Sequence, residues 1–111
     1  MTLQNMIEKL DLKIIYSSKT DTDIISGHIG DLLSEVMRDA KKDCIWITHQ
    51  THQNIIAVAE VVGAKAIVLP KPGKYLEETI KKAEEMDISL LISENDAFET
   101  AGKIYNLLKN E

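Results

Sequence analysis

The chain has 111 residues, of which 44% are hydrophobic and 28% charged, with a net charge of -5; these are the proportions of a folded domain and not of a disordered chain. A chain of this length buries roughly two-thirds of the surface its unfolded form exposes, so residues 1–111 are read as a single unit without room for a second domain. The acidic balance and an aromatic content of only 5% argue against nucleic acid as a partner, and the lone cysteine excludes an internal disulfide.

No apolar run approaches the ~20 residues of a membrane span, and the N-terminus lacks the positive segment and apolar core of an export signal. Cys44 opens a strongly apolar segment, as a packed thiol in a reducing compartment would. The expected setting is cytoplasmic.

Leu3, Met6, Ile7 and Leu10 recur at helical spacing and predict a short first helix. "LKIIYS" reads as a strand, "SSKTDTD" as a polar turn, and "IISGHIG" as a short apolar piece punctuated by glycines. From Asp31 the period becomes helical, with Leu32, Leu33, Val36, Met37 and Ala40 on one face. "CIWIT" follows as a strand without polar alternation, the mark of a parallel strand covered on both sides. After the helix "NIIAVAEVV", stopped by Gly63, comes a second such strand, "AIVL", and then the loop "PKPGK". Tyr75, Leu76, Thr79, Ile80, Ala83 and Met86 mark the next helix, whose run "EETIKKAEE" is a solvated face. "ISLLI" is the last strand. Ala97, Phe98, Ala101, Ile104, Tyr105 and Leu108 line the closing helix. This alternation predicts an α/β three-layer sandwich, Rossmann-like, with a mostly parallel sheet and helices on both faces.

The helix "NIIAVAEVV" is apolar all round, with only Asn54 and Glu60 polar. A helix of that kind is buried all round, and in so small a domain a second copy is the economical cover. The sequence therefore predicts a homodimer with Ile55, Ile56 and Ala59 at its interface. The other cover on offer is the N-terminal helix.

In an open parallel sheet, ligands bind beyond the carboxyl ends of the strands, where loops meet helix N-termini. The loops "SSKTD", "THQTHQ", "PKPGK" and "SENDA" are expected to form that rim. Thr48, His49, Thr51, His52, Lys71, Lys74, Ser93 and Asn95 are the candidate ligand-binding residues, suited to a polar or anionic small molecule. No P-loop and no nucleophile-elbow pattern occurs, and Arg38, the only arginine, lies in a helix away from the rim. No catalytic residue, metal or cofactor is assigned.

The doubled triplet Thr-His-Gln raises a metal site, a catalytic pair and a plain turn as readings. His49 and His52 are three apart, whereas the zinc-protease pattern HExxH needs four-residue spacing and a glutamate. One lies at a strand end and the other in the first helical turn, so no single element presents both rings; His28 could add a third ligand only if the fold brought it near. The favoured reading is a strand-to-helix junction capped by Thr51 or a neighbour. Metal binding or enzymatic use of His49 and His52 remains the alternative. In "SENDAFE", Ser93, Asn95 or Asp96 is expected to cap the last helix.

The succession "GHIGDLLSEVMRDAKKDCIWITHQTHQNIIAVA", "AIVLPKP" and "LEETIKKAEEMDISLLISENDAFETAGKIYNLL" resembles a DRTGG domain over nearly the whole chain. Thr51-His52 stand where that family often has Asp-Arg, and Pro70-Lys71-Pro72 where it often has Thr-Gly-Gly; "NDAFETA" agrees well. Such domains occur alone in small proteins and inserted in regulated enzymes, among them some phosphotransacetylases and CBS-containing pyrophosphatases. The resemblance implies a dimerising regulatory α/β module of poorly defined biochemical function; it does not imply catalysis. The expected role is a non-catalytic, homodimeric regulatory or partner-binding module whose rim senses a small anionic ligand such as a nucleotide, with a protein as the other class of partner.

Overall fold

The computed structural model describes residues 1–111. Its elements are α1 (Leu3–Leu10), β1 (Lys13–Tyr16), β2 (Ser26–Ile29), α2 (Leu33–Asp39), β3 (Cys44–Ile47), α3 (Asn54–Val62), β4 (Ala66–Leu69), α4 (Glu77–Met86), β5 (Ser89–Ile92) and α5 (Ala97–Lys109). The five strands form one sheet in the order β1-β5-β4-β3-β2. Strands β2 to β5 run parallel and are joined by helical crossovers, which gives the expected α/β sandwich.

β1 departs from that pattern. It runs antiparallel to β5, with Lys13 opposite Ile92, an arrangement common at the edge of an otherwise parallel sheet. The segment "SSKTD" that follows it therefore lies at the opposite end from the rim, which corrects the expectation that it helps to form it. There it is tied to the start of β5 and the end of α4: the Ser18 backbone N–H donates to Ser89 Oγ at 2.9 Å, and the Ser18 hydroxyl to Asp87 at 2.9 Å.

The pleat sends alternate residues of the central strands to opposite faces. Trp46, Ile67 and Leu90 meet α2, α3 and α4 on one side, while Ile45, Ile47, Val68 and Leu91 meet α1 and α5 on the other. Cys44 is buried, and that burial pushes its thiol above the ordinary value, so it behaves as core packing. No helix is long and apolar enough to cross a membrane.

α3 lies between α2 and α4, and the sheet closes its third side. Ile55, Ile56 and Ala59 are fully buried within the single chain, whereas Glu60 and Val61 face outward. The predicted interface is thus corrected: those three side chains have no surface to offer a second copy, and α1, the alternative cover, lies on the far face. The unpaired apolar surface is elsewhere. Leu32 and Met37, expected on the buried side of α2, are exposed, as are Phe98 and Tyr105 on α5.

Helix ends follow local chemistry. Thr2 accepts the Asn5 N–H at 3.1 Å to start α1, and Asp96 accepts the Glu99 N–H at 2.9 Å to start α5. Asp96→Ala is expected to lower stability by about 1 kcal/mol, seen as a fall in the urea midpoint at unchanged slope; a midpoint identical to wild type would show that the cap contributes nothing.

Candidate functional site

The carboxyl ends of β2 to β5 bring together residues 30–32, 48–53, 70–76 and 93–96. The first of these loops does most to organise the site. Gly30 is held from two sides, its N–H donating to the Ile47 carbonyl at 3.1 Å and its own carbonyl accepting the Trp46 indole N–H at 2.9 Å. Trp46 is wholly buried, so the loop is pinned to the core. Asp31 is thereby presented to the end of β3.

Its carboxylate accepts the Thr48 hydroxyl at 2.9 Å, the His49 backbone N–H at 2.7 Å and the His49 ring at 3.0 Å. Partial burial pushes the Asp31 carboxyl up, but the His49 N–H, the Thr48 hydroxyl and the His49 ring outweigh it together, and the net shift is downward. Gln50 completes the knot by donating its side-chain amide to the Asp31 carbonyl at 2.8 Å. An ionised carboxylate only accepts, so Nδ1 of His49 carries the proton. Nε2 is left without a protein partner on a half-exposed ring.

Thr51 does not cap α3, in contrast to the expectation. That helix starts without any side-chain cap, and the Thr51 carbonyl instead accepts the Thr79 hydroxyl of α4 at 2.6 Å. His52 is exposed just before α3. The three histidines go to different places: His49 pairs with Asp31, His28 pairs with Glu35 of α2 at 3.0 Å, and His52 projects from the surface. No group of three or more His, Cys, Asp or Glu side chains is placed to hold a metal ion.

Beyond β4 the backbone N–H of Lys71 donates to the Asn95 carbonyl at 2.9 Å, which joins two of the predicted loops. Gly73 packs directly on Leu69, where a Cβ would come within 2.8 Å of that side chain. Tyr75, expected on the stripe of α4, precedes that helix and inserts into the core, its hydroxyl donating to the Leu91 carbonyl at 2.8 Å. Burial holds its phenol far above the ordinary range, so it anchors the loop and does not titrate. Lys71 and Lys74 remain exposed. Lys74 and Lys13 both line a cleft of about 310 Å³, together with Ile15, Tyr75, Ile80 and Ile92.

Ser93 is buried and braces the last loop: its hydroxyl shares a 2.7 Å hydrogen bond with Thr100 and accepts the Asn95 N–H at 3.1 Å. It holds Asn95 in place but presents nothing to solvent. Of the residues predicted from sequence, Thr48 and His49 meet through Asp31, and Lys71, Ser93 and Asn95 meet through backbone and hydroxyl contacts. Lys74 sits apart, toward β1. Asp31 and Gln50 were not among the predicted residues. The signal for Asp31 was its position directly after Gly30, at the end of a segment whose strand character the glycines obscure.

No protein-family profile matches the chain, and no curated protein matches it in sequence. Among solved structures, the CBS and DRTGG domains of the regulatory region of Clostridium perfringens pyrophosphatase, complexed with the activator diadenosine tetraphosphate, are similar with a TM-score of 0.67 at 14% identity. The similarity covers 91% of this chain and 44% of that one, so the chain spans less than half of its structural neighbour. At that identity the likeness establishes a related α/β fold, shared with part of a regulatory region.

Proposed function

We propose that the chain is a non-catalytic regulatory module of the DRTGG type, homodimeric, whose rim binds a small anionic ligand such as a nucleotide. The observation that carries this reading is the arrangement at the strand ends: the exposed ammonium of Lys71, the group on this rim suited to an anion, stands with the exposed side chain of His52 and with His49, whose ring is oriented by Asp31 through Nδ1. Preformed polar groups on a rigid sheet end are what orient a small ligand. The fold neighbour, a regulatory region solved with a nucleotide activator, is consistent with that class of ligand.

The alternative, an enzyme or metal-binding protein using His49 and His52, has less behind it. The Asp31–His49 pair has the form of an oriented base, but the adjacent hydroxyl of Thr48 is committed to Asp31 and not to the imidazole. A base without a hydroxyl or thiol on its free nitrogen activates no nucleophile of its own chain.

The test is a thermal-shift series with diadenosine tetraphosphate, ATP, AMP, inorganic phosphate and zinc. A nucleotide at about 100 times its Kd adds about 2.7 kcal/mol, enough to raise the melting point by roughly 10 °C or more in a domain of this size. The shift is expected to shrink in Lys71→Ala and His52→Ala. A response to zinc alone, lost in His52→Ala, would move the reading to the metal-binding alternative, and no response to any of the five would remove the ligand.

A further inference from the structure

Helix α5 rests on the sheet through Thr100 and Ile104 and turns another face to solvent. Phe98, Gly102, Tyr105 and Lys109 are spaced by four, three and four residues and so form one ridge along that outer face. Phe98 is 87% exposed and Tyr105 65% exposed; Ile29, at the end of β2, and Ile25, just before that strand, are exposed as well. Between the ridge and β2 runs an apolar groove of about 170 Å³, lined in part by Gly27, Ile29, Ala101 and Leu108.

Gly102 is the unexpected member of the ridge. Glycine weakens a helix interior more than any residue except proline, and a Cβ placed at Gly102 would meet nothing within 4 Å. The single chain thus gives no reason for a glycine there. Close approach of another backbone does give one.

Charge supplies the direction of that approach. Glu94 and the cap Asp96 lead into α5 and Glu99 lies in its first turn, while Lys109 is in its last turn with its ammonium 5.7 Å from the Tyr105 ring; Lys103 sits at the middle of the helix. Two such helices side by side and antiparallel set each acidic start against the other's basic end; a parallel pair would oppose like charges.

We infer that two copies of this chain pair through α5, antiparallel and crossing at Gly102, with the Phe98 of each copy lying against Tyr105 and the groove of the other. The contact is isologous, as a two-fold dimer requires. An apolar cavity of about 150 Å³ accepts a benzene ring, so the groove is of a size for one phenylalanine side chain. Phe98, Tyr105, Ile25 and Ile29 expose on the order of 600 Å², most of the ~800 Å² that one partner contributes to a standard interface. The inference rests on the dimeric reading given above and assigns it a face that α3 cannot supply.

Sedimentation equilibrium of the full chain tests it, with Gly102→Gln, Lys109→Glu and the double change Lys109→Glu with Glu94→Lys. Wild type is expected to dimerise at micromolar concentrations. Gly102→Gln should raise the dimer Kd by about 30-fold or more, as loss of a central contact does, while the isolated monomer melts no lower because glutamine favours a helix. Lys109→Glu should weaken pairing several-fold and Glu94→Lys should restore it. A wild-type chain that stays monomeric at every concentration overturns the dimeric reading itself. A dimer indifferent to Gly102→Gln leaves that reading standing and overturns this face; failure of the charge swap to restore pairing overturns the antiparallel arrangement.

Discussion

Trp46→Ala is expected to cost about 3–5 kcal/mol, as removal of a buried tryptophan does. That is a large share of the ~5–15 kcal/mol by which domains of this kind are stable, so a substantial unfolded fraction should be visible by circular dichroism at room temperature. Trp46→Phe is the more telling change. It keeps most of the apolar volume and removes the one donor that reaches the Gly30 carbonyl at 2.9 Å. Leaving that carbonyl unsatisfied is expected to cost about 1–3 kcal/mol. Because Gly30 leads directly into Asp31, the His49 ring signals in a proton–nitrogen spectrum should broaden or shift in the same variant. Unchanged His49 signals would show that the indole supports the core without setting the rim.

Removing Asp31 should have the next largest effect. In Asp31→Ala the Thr48 hydroxyl, the His49 N–H and the His49 ring lose their shared acceptor. Water reaches this half-exposed site and replaces part of what is lost, so a cost of about 1–2 kcal/mol is expected, below what three buried hydrogen bonds to a charge would give. The pH dependence has a definite sign. The folded-state pKa of Asp31 lies below its ordinary value of 3.8, so its contribution is complete above that value and is lost as pH falls through the lower, folded one. Asp31→Asn should therefore be less stable than wild type by a constant amount near neutrality, and the two stability curves should converge in acid. Parallel curves down to the acid limit would mean that the carboxylate is not stabilised by the fold.

Much of the fold can be read from the strands alone. "CIWIT" and "AIVL" have no polar alternation because both their faces are covered, and the structure buries every residue of Cys44–Ile47 and Ala66–Leu69. The direction of β1 could not be read in this way. Hydrophobic period reports which faces a strand buries and is blind to which way it runs, and the reversal of one strand moved a whole predicted loop to the other end of the molecule. The α3 interface failed for a related reason. An apolar surround shows that a helix is enclosed, but neighbours on the same layer enclose it as well as a partner does, and α2 and α4 both lie against it.

At the rim, single residues were legible by type and location, whereas their pairings were not. His49 stood out as one of two histidines in a doubled triplet. Its partner Asp31 lies 18 positions earlier in a segment that looked like the start of a helix. Ser93 looked like a surface cap and proved to be a buried brace, since a hydroxyl serves either role equally well until its surroundings are known.

Lys71 is joined to Asn95 by a backbone hydrogen bond, Asn95 to Ser93, and Ser93 to Thr100 in the second turn of α5. The proposed ligand rim and the helix proposed to pair are thus successive links of one chain of hydrogen bonds. Any ligand that tightens this segment and favours pairing must itself be held more tightly by the pair, by the same factor, because linkage is reciprocal. Occupancy and assembly would then be two readings of a single equilibrium.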